Sequence, residues 1–321
     1  MKKFNNIVYV LNEDINKSSS SFLRAISLAR VNQADLTLLE ILPDMPAVIS
    51  STLTSVNKKE LQNEVLTQED ARLQTLLSSM DAGLNAKVEL RIGKKYIEAI
   101  RAVKANNYDL MVKEIENVDW LGRLFGSEDM HLLRKCPCPV WLMKKNEKPE
   151  YKNIMVAIDF DDESETNKYN DELNQKLLDL SVSLSLSDFT TLHVVNAYDV
   201  PQAGFISLWV DRPEKVKKEL FETEYRKRQY KMNSLMEDLK LKTGAESFNY
   251  LSPCAHLVQG PPSRKLPELA EGIQADLVIM GTVARTGIAG ALIGNTAENV
   301  LSQLQCSVLA IKPKDFVSPV S

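Results

Sequence analysis

The chain has 321 residues, 44% of them hydrophobic and 26% charged, with a net charge of −4. That length is too great for one typical domain and comfortable for two, and the composition is that of a globular protein able to bury a real core. The acidic balance argues against a nucleic-acid or anionic-membrane partner, since either would favour a basic surface. The most basic run, Arg226-Lys227-Arg228 with Lys231, is interleaved with Glu222 and Glu224 and reads as a solvated helix face. No apolar run approaches the roughly 20 residues that span a bilayer. Met1–Asn6 leads into a strand without a signal-peptide stretch. Four cysteines in a chain this long do not form a disulfide framework, and a reducing cytoplasm is the expected location.

In chain order, the first predicted strand, Asn6-Ile7-Val8-Tyr9-Val10-Leu11-Asn12, returns later as Asn153-Ile154-Met155-Val156-Ala157-Ile158-Asp159. Asp35-Leu36-Thr37 returns as Asp188-Phe189-Thr190, and Asp109-Leu110-Met111-Val112 as Asp276-Leu277-Val278-Ile279. Cys138-Pro139-Val140-Trp141-Leu142-Met143-Lys144 returns as Cys306-Ser307-Val308-Leu309-Ala310-Ile311-Lys312. The chain is therefore an internal repeat: a first copy over 1–145, a polar linker over 146–150, and a second copy over 151–321. The spacing between matched residues grows along the chain, so the second copy is longer, mostly between its second and third strands.

In the second copy, Ile154–Ile158, Thr190–Val195, Ala255–Val258, Leu277–Met280 and Val308–Ile311 are short, largely unalternating apolar runs, as suits a parallel sheet covered on both faces. Between them, Tyr169, Leu173, Leu177, Leu180 and Leu184 share one face of a predicted helix. Leu266, Leu269, Ala270 and Ile273 mark a second helix, and Ala297, Val300, Leu301 and Leu304 a third. Strand–helix alternation predicts an α/β fold of two tandem doubly wound five-stranded parallel-sheet domains. Ligands of such sheets bind outside the carboxyl ends of the strands. That places attention on Asp159, after the first strand, and on the loop after the fourth.

That loop, Gly281-Thr282-Val283-Ala284-Arg285-Thr286-Gly287-Ile288-Ala289-Gly290-Ala291-Leu292-Ile293-Gly294-Asn295-Thr296, runs from a buried strand to a helix N-terminus. Its glycines allow backbone amides to approach an anion, and the helix adds its positive dipole end. Thr282, Thr286, Asn295 and Thr296 supply donors, and Arg285 a charge. The competing reading is a Gly-rich connection capped by Asn295 or Thr296, with Glu298 completing a capping box.

The loop resembles the signature of the universal stress protein family: Gly, two residues, Gly, nine residues, Gly, then Ser or Thr. The flanking Ala275–Gly281 and Val308–Lys312 are similar to that family as well, and the resemblance covers both copies. It implies domains of that type related by a pseudo-two-fold axis and, in nucleotide-binding members, ATP held over the loop. By position, it places Asp159 near the nucleoside and Val194, at the end of the second strand, against adenine. It also places Gly281, Thr282, Arg285, Gly294, Asn295 and Thr296 around the phosphates. Two positions depart: Ala284 replaces the middle glycine and Asn295 the hydroxyl residue. If the middle position needs a left-handed backbone, alanine there costs about 1–2 kcal/mol, up to about 30-fold in affinity. Weak binding is the expectation. In the first copy, Asn12 stands in place of Asp159 and Glu114 in place of Gly281, with Glu116 nearby; only Gly126 persists, aligned with Gly294. That copy reads as a scaffold or as a binder of something other than ATP.

Other chemistry lacks its residues. There is no Gly-x-x-x-x-Gly-Lys-Ser/Thr loop and no Gly-x-Ser-x-Gly elbow. Cys136-Pro137-Cys138 with His131, and Cys254-Ala255-His256, are each half a zinc site at best, so no metal is expected. His193, inside a strand pattern, reads as a hydrogen-bonded core residue. In the insert of the second copy, Val216, Leu220, Phe221, Met232, Leu235, Met236 and Leu239 predict a long helix packed on the core. Phe205, Ile206, Leu208 and Trp209 before it are candidates for a lid or an apolar pocket.

Three functions compete: a non-catalytic stress-type sensor or regulator binding ATP or a related nucleotide weakly in the second copy, a binding module for another partly apolar small molecule, and an enzyme such as a slow ATPase. The third lacks an acid/base and nucleophile constellation. The resemblance also implies that the fifth strands, Val140–Met143 and Val308–Ile311, pair within one chain, whether the protein is a monomer or a dimer; each would otherwise be an exposed apolar edge. Amide exchange at both segments is then expected to be slow and independent of protein concentration. Fast exchange that slows only as concentration rises would point to pairing between chains.

Overall fold

The computed structural model describes residues 4–12, 19–44, 58–80, 83–115, 128–145, 148, 150–160, 167–200, 205–206, 209–210, 212–282 and 293–321. They form two compact units, one up to residue 148 and one from Glu150 to Asp315. The tail Phe316–Ser321 groups with the first unit rather than with the second: Arg101 Nε donates to Ser321 O at 2.9 Å and Lys104 Nζ to Val320 O at 2.7 Å.

The first unit contains β1 (Asn6–Val10), α1 (Ser20–Asn32), β2 (Asp35–Leu42), α2 (Lys58–Ser78), β3 (Ala86–Ile92), α3 (Lys95–Asn106), β4 (Leu110–Glu114), α4 (Glu128–Lys135) and β5 (Val140–Met143). The second contains β6 (Asn153–Ala157), α5 (Asn167–Asp188), β7 (Thr191–Tyr198), α6 (Pro213–Thr243), α7 (Ala245–Leu251), β8 (Cys254–Gln259), α8 (Pro262–Gly272), β9 (Leu277–Gly281), α9 (Asn295–Leu301) and β10 (Ser307–Ile311). Strand order is β3-β2-β1-β4-β5 in one and β8-β7-β6-β9-β10 in the other, with these pairings parallel. The two tandem five-stranded parallel sheets are those expected. The order reverses between β1 and β4, and between β6 and β9, which puts a switch-point crevice beyond the carboxyl ends of those pairs.

The repeated Asn and Asp residues set these central pairs in register. Asp109 accepts from the backbone N–H of Asn5 at 2.7 Å and of Asn6 at 3.1 Å. Asp276 accepts from Lys152 N–H at 2.6 Å and Asn153 N–H at 3.0 Å. The matching asparagines close the other side: Asn6 Nδ2 donates to Asn106 O, and Asn153 Nδ2 to Ile273 O. Each carboxylate takes charge-assisted bonds from the amides that open a strand, so the amino ends of β1 and β6 are tied to the residue preceding β4 and β9.

The helices cover the apolar strands as their periodicity requires. Leu177, Leu180 and Leu184 of α5, Leu266 and Ala270 of α8, and Ala297, Val300 and Leu301 of α9 are buried. Helix α6 departs from expectation. Of its predicted core residues only Met232 and Leu239 are buried. At 31 residues it is about 46 Å long, whereas the eight residues of β7 span about 26 Å. Val216, Leu220 and Phe221 are only half-buried.

His193 meets the expectation of a hydrogen-bonded core residue. Because Asn153 spends its amide on Ile273 O, its Oδ1 faces His193 Nε2 at 3.3 Å and accepts from it. His193 Nδ1 is then the acceptor for His256 Nε2–H at 3.0 Å. Burial holds both rings below the ordinary histidine pKa, and His256 lowers His193 further. As pH falls below about 6.5, the unfolded chain takes up protons that the folded rings refuse, so this part of the stability is complete above that pH and lost below it. The urea midpoint is expected to fall between pH 7 and pH 5, and to fall less in His256→Gln.

Candidate functional site

The carboxyl ends of β6 and β9 carry Asp159, Gly281 and Thr282 among the predicted residues, with Gly294 bonded to Thr282. Asp159 lies two residues beyond β6 and its backbone is pinned by a buried side chain of α5: Asn174 Nδ2 donates to Asp159 O at 2.8 Å, and Asp159 N–H donates to Asn174 Oδ1 at 3.2 Å. Gly281 is the last residue of β9. A Cβ there would lie 2.8 Å from Leu173 Cδ2 of α5, so an alanine would have to push that half-buried side-chain tip aside. Thr282 N–H donates to Ile311 O at 3.2 Å, and Thr282 O accepts from Gly294 N–H at 3.0 Å. These bonds close the base of the loop. The Thr282 hydroxyl is buried there with no partner among the described residues.

Gly294 is the N-cap of α9, with φ −66° and ψ 140°, an extended backbone open to any residue. It has no side chain to bond the first-turn amides, and none caps them. Asn295 and Thr296 are the first two helical residues and are exposed. The capping-box alternative is therefore corrected: neither residue is the cap. Arg285 and the rest of 283–292, including Ala284, lie outside the described residues, as does Leu208.

Two further placements are corrected. Val194 is fully buried in mid-strand, paired with Val156 on one side and Ala255 on the other; β7 runs on to Tyr198. Its backbone is engaged in both ladders and is not a strand end. Phe205 and Trp209 are 66% and 77% exposed and pack loosely on each other at 6.3 Å; with Ile206 half-buried, they form a surface cluster rather than a pocket lining. A groove of about 250 Å³ lies instead against Leu173, between Glu172 and Lys176 of α5 and Pro313–Asp315.

A residue read as part of a solvated face belongs to the site. Arg226 and Lys227 are exposed, but Arg228 turns inward, its side chain 15% exposed. Its Nε donates to Glu224 at 2.6 Å, and its Nη1 donates to Phe160 O at 3.2 Å and to Asn196 Oδ1 at 3.1 Å. The guanidinium carbon stands 5.3 Å from the Tyr198 ring centroid, within cation–π range. Asn196 is fully buried and donates to Ile158 O at 3.0 Å. The signal was present in the sequence: Glu224 and Arg228 fall on the four-residue stripe of Val216, Leu220 and Met232.

The same edge of the first unit is filled by its own side chains. Glu114 ends β4 and its carboxylate accepts from Ser21 Oγ, which also bonds Tyr9 OH at 2.9 Å. Asn12 Nδ2 donates to Glu114 O at 3.1 Å, and the buried Lys113 pairs with Asp129 at 2.8 Å. Glu116 and Gly126 lie outside the described residues. Cys136 and Cys138 are buried with sulfurs 3.5 Å apart, while His131 stacks on Tyr96 at 4.3 Å. Among the described residues, no three His, Cys, Asp or Glu side chains converge as a metal cluster, and no helix is long and apolar enough to cross a membrane.

Two sheets of one strand order, each with its edge site after the first and fourth strands, agree with what the comparisons return. The universal stress protein family matches residues 3–144 and again 150–312. The chain belongs to that family. It is 33% identical to the universal stress protein E homolog of Haemophilus influenzae over 97% of this chain and 98% of that one. It is also 33% identical to universal stress protein E of Escherichia coli K12, over 75% of this chain and 72% of that one. A solved structure of a functionally unknown protein from Pseudomonas aeruginosa PAO1 shares the fold, with a TM-score of 0.66 and 23% identity, covering 98% of this chain and 95% of that one.

The packing role of Gly281 is testable. Gly281→Ala is expected to cost about 1–3 kcal/mol by overpacking, and the cost should largely vanish in a Leu173→Ala background. A double-mutant cycle by urea denaturation measures this coupling.

Proposed function

We propose that this chain is a non-catalytic regulator of the stress-response type, and that its second unit binds a purine nucleotide, ATP or a relative, weakly. The observation that carries the reading is the base of the loop after β9. There the first-turn amides of α9 have no cap side chain and the Thr282 hydroxyl is buried without a partner among the described residues. A phosphate oxygen would satisfy both kinds of donor. Asp159, fixed by Asn174, would stand toward the nucleoside. The groups at this edge are suited to holding a ligand: Arg228 is already ion-paired with Glu224, and no step of bond cleavage is assigned. The first unit serves as scaffold, because Glu114 and its partners occupy the equivalent edge.

Calorimetry on the intact chain tests the reading. Ala284→Gly and Asn295→Ser restore the family pattern and are expected to tighten ATP binding severalfold each. Gly294→Asp supplies the missing cap, and should add a few tenths of a kcal/mol of stability while removing nucleotide affinity, because its carboxylate takes the same amides. Glu114→Gly should leave affinity unchanged. If neither wild type nor the restored variants bind any nucleotide, the second unit is not a nucleotide site.

A further inference from the structure

Four acceptors at the carboxyl edge of β6 and β7 are already engaged within the fold. Ile158 O accepts from Asn196 Nδ2 at 3.0 Å, and Asn196 Oδ1 accepts from Arg228 Nη1 at 3.1 Å. Phe160 O accepts from Arg228 Nη1 at 3.2 Å, and Tyr198 O accepts from Gly260 N–H at 2.7 Å. What the edge offers in exchange is a cation. A guanidinium carries five N–H donors; Nε and Nη1 are committed to Glu224, Phe160 and Asn196. The two N–H bonds of Nη2 have no partner among the described residues. The group cannot swing away, since three partners and the Tyr198 ring hold it.

Its position along the edge fits the far end of a nucleotide. β7 and β9 flank β6, so at about 4.8 Å per strand the end of β7 lies roughly 10 Å from the end of β9. Phosphates held after β9 would direct the base toward β6 and β7. We propose that Arg228 is a specificity-determining residue that selects purines bearing a 6-oxo group over those bearing a 6-amino group. The proposal rests on the nucleotide reading of the second unit and goes beyond it. A 6-oxo purine presents O6 and N7, both acceptors, to a guanidinium donor. A 6-amino purine turns an N–H donor toward Nη2–H, a donor–donor contact that makes no bond. A site built to donate rejects the analogue that cannot accept, because a desolvated donor is left unpaired.

Calorimetry of the intact chain with GTP, ITP and ATP reads the preference directly. GTP and ITP are expected to bind about tenfold or more tightly than ATP. ITP is included because it shares the 6-oxo group and lacks the 2-amino group. Arg228→Lys, which retains charge but lacks the fixed fork, should bring the three affinities together, with thermal melting used to establish that the variant is folded. Equal affinity for GTP and ATP in wild type would overturn the selectivity while leaving the nucleotide site in place. So would an Arg228→Lys variant that loses stability but keeps the GTP-to-ATP ratio, since Arg228 would then be only a clamp for α6. GTP tighter than ATP with ITP as weak as ATP would assign the discrimination to the 2-amino group and overturn the role given to Arg228. No binding of any of the three, in wild type or with Ala284→Gly and Asn295→Ser, would overturn the nucleotide reading itself.

Discussion

Everything at the carboxyl edge depends on how the two central strands of each sheet are fixed at the other end. Asp276 holds the amides that open β6, and the same residue leads directly into β9. One carboxylate therefore sets the register of the pair on either side of the switch point. Side chains alternate with a period of two along a strand, so a one-residue slip would exchange buried and exposed faces. With the amino ends locked, five residues of β6 and five of β9 carry that register to Asp159 and Gly281. Asp109 does the same for β1 and β4. The first unit keeps its sheet although its edge has lost the residues of a ligand site. The clamp, and not the site, specifies the fold.

The repeat made the fold legible. Elements that occur twice, with Asn and Asp at the same steps of each copy, define strands and their order without reference to contacts. Each predicted strand of the second copy falls on an observed one. The helix faces marked by Leu177, Leu180 and Leu184, and by Ala297, Val300 and Leu301, are buried as their spacing requires. The site was legible only as a neighbourhood. The family resemblance placed Val194 at the end of the second strand, whereas Asn196 and Tyr198 continue that strand as buried residues. A buried asparagine breaks a hydropathy pattern but not a ladder. The stripe on α6 was read as uniformly core-facing, because periodicity reports which face turns inward and not whether anything lies beneath it. At the glycines the sequence could not show the neighbours: Gly281 faces Leu173 of α5, and Gly294 stands in an ordinary extended conformation.

The two units differ at the edge in how their polar groups are satisfied. In the first, Glu114 stands where the second has Gly281, and its carboxylate is absorbed by Ser21 and the Tyr9 hydroxyl chain. Ionised carboxylates are costly to bury without donors, and this unit supplies them from α1. In the second unit the balance runs the other way. Amides at α9 and the Thr282 hydroxyl are left over, and surplus donors around a loop mouth suit an anion. One fold thus carries a satisfied carboxylate at one edge and unpaired donors at the other, through the identity of a single strand-terminal residue and its neighbours.

The inserted helix changes the character of the receptive edge in a way neither strand could. Its inward stripe brings Arg228 against Asn196 and Tyr198 of β7 and Phe160 beyond β6, and burying a guanidinium requires acceptors for its donors. Glu224, one turn earlier on the same stripe, supplies one; the Phe160 carbonyl and the Asn196 side chain supply the rest. Anchoring the helix and altering what the edge can recognise are therefore one event. The Phe160 carbonyl and the Asn196 amide oxygen each spend one lone pair on the cation, and the cation adds its own N–H donors to the edge. A strand end that offers a mixture of N–H and C=O groups is thereby enriched in donors. Because the guanidinium is held from three sides and against the Tyr198 ring, that polarity is built into the unliganded fold rather than induced by what binds.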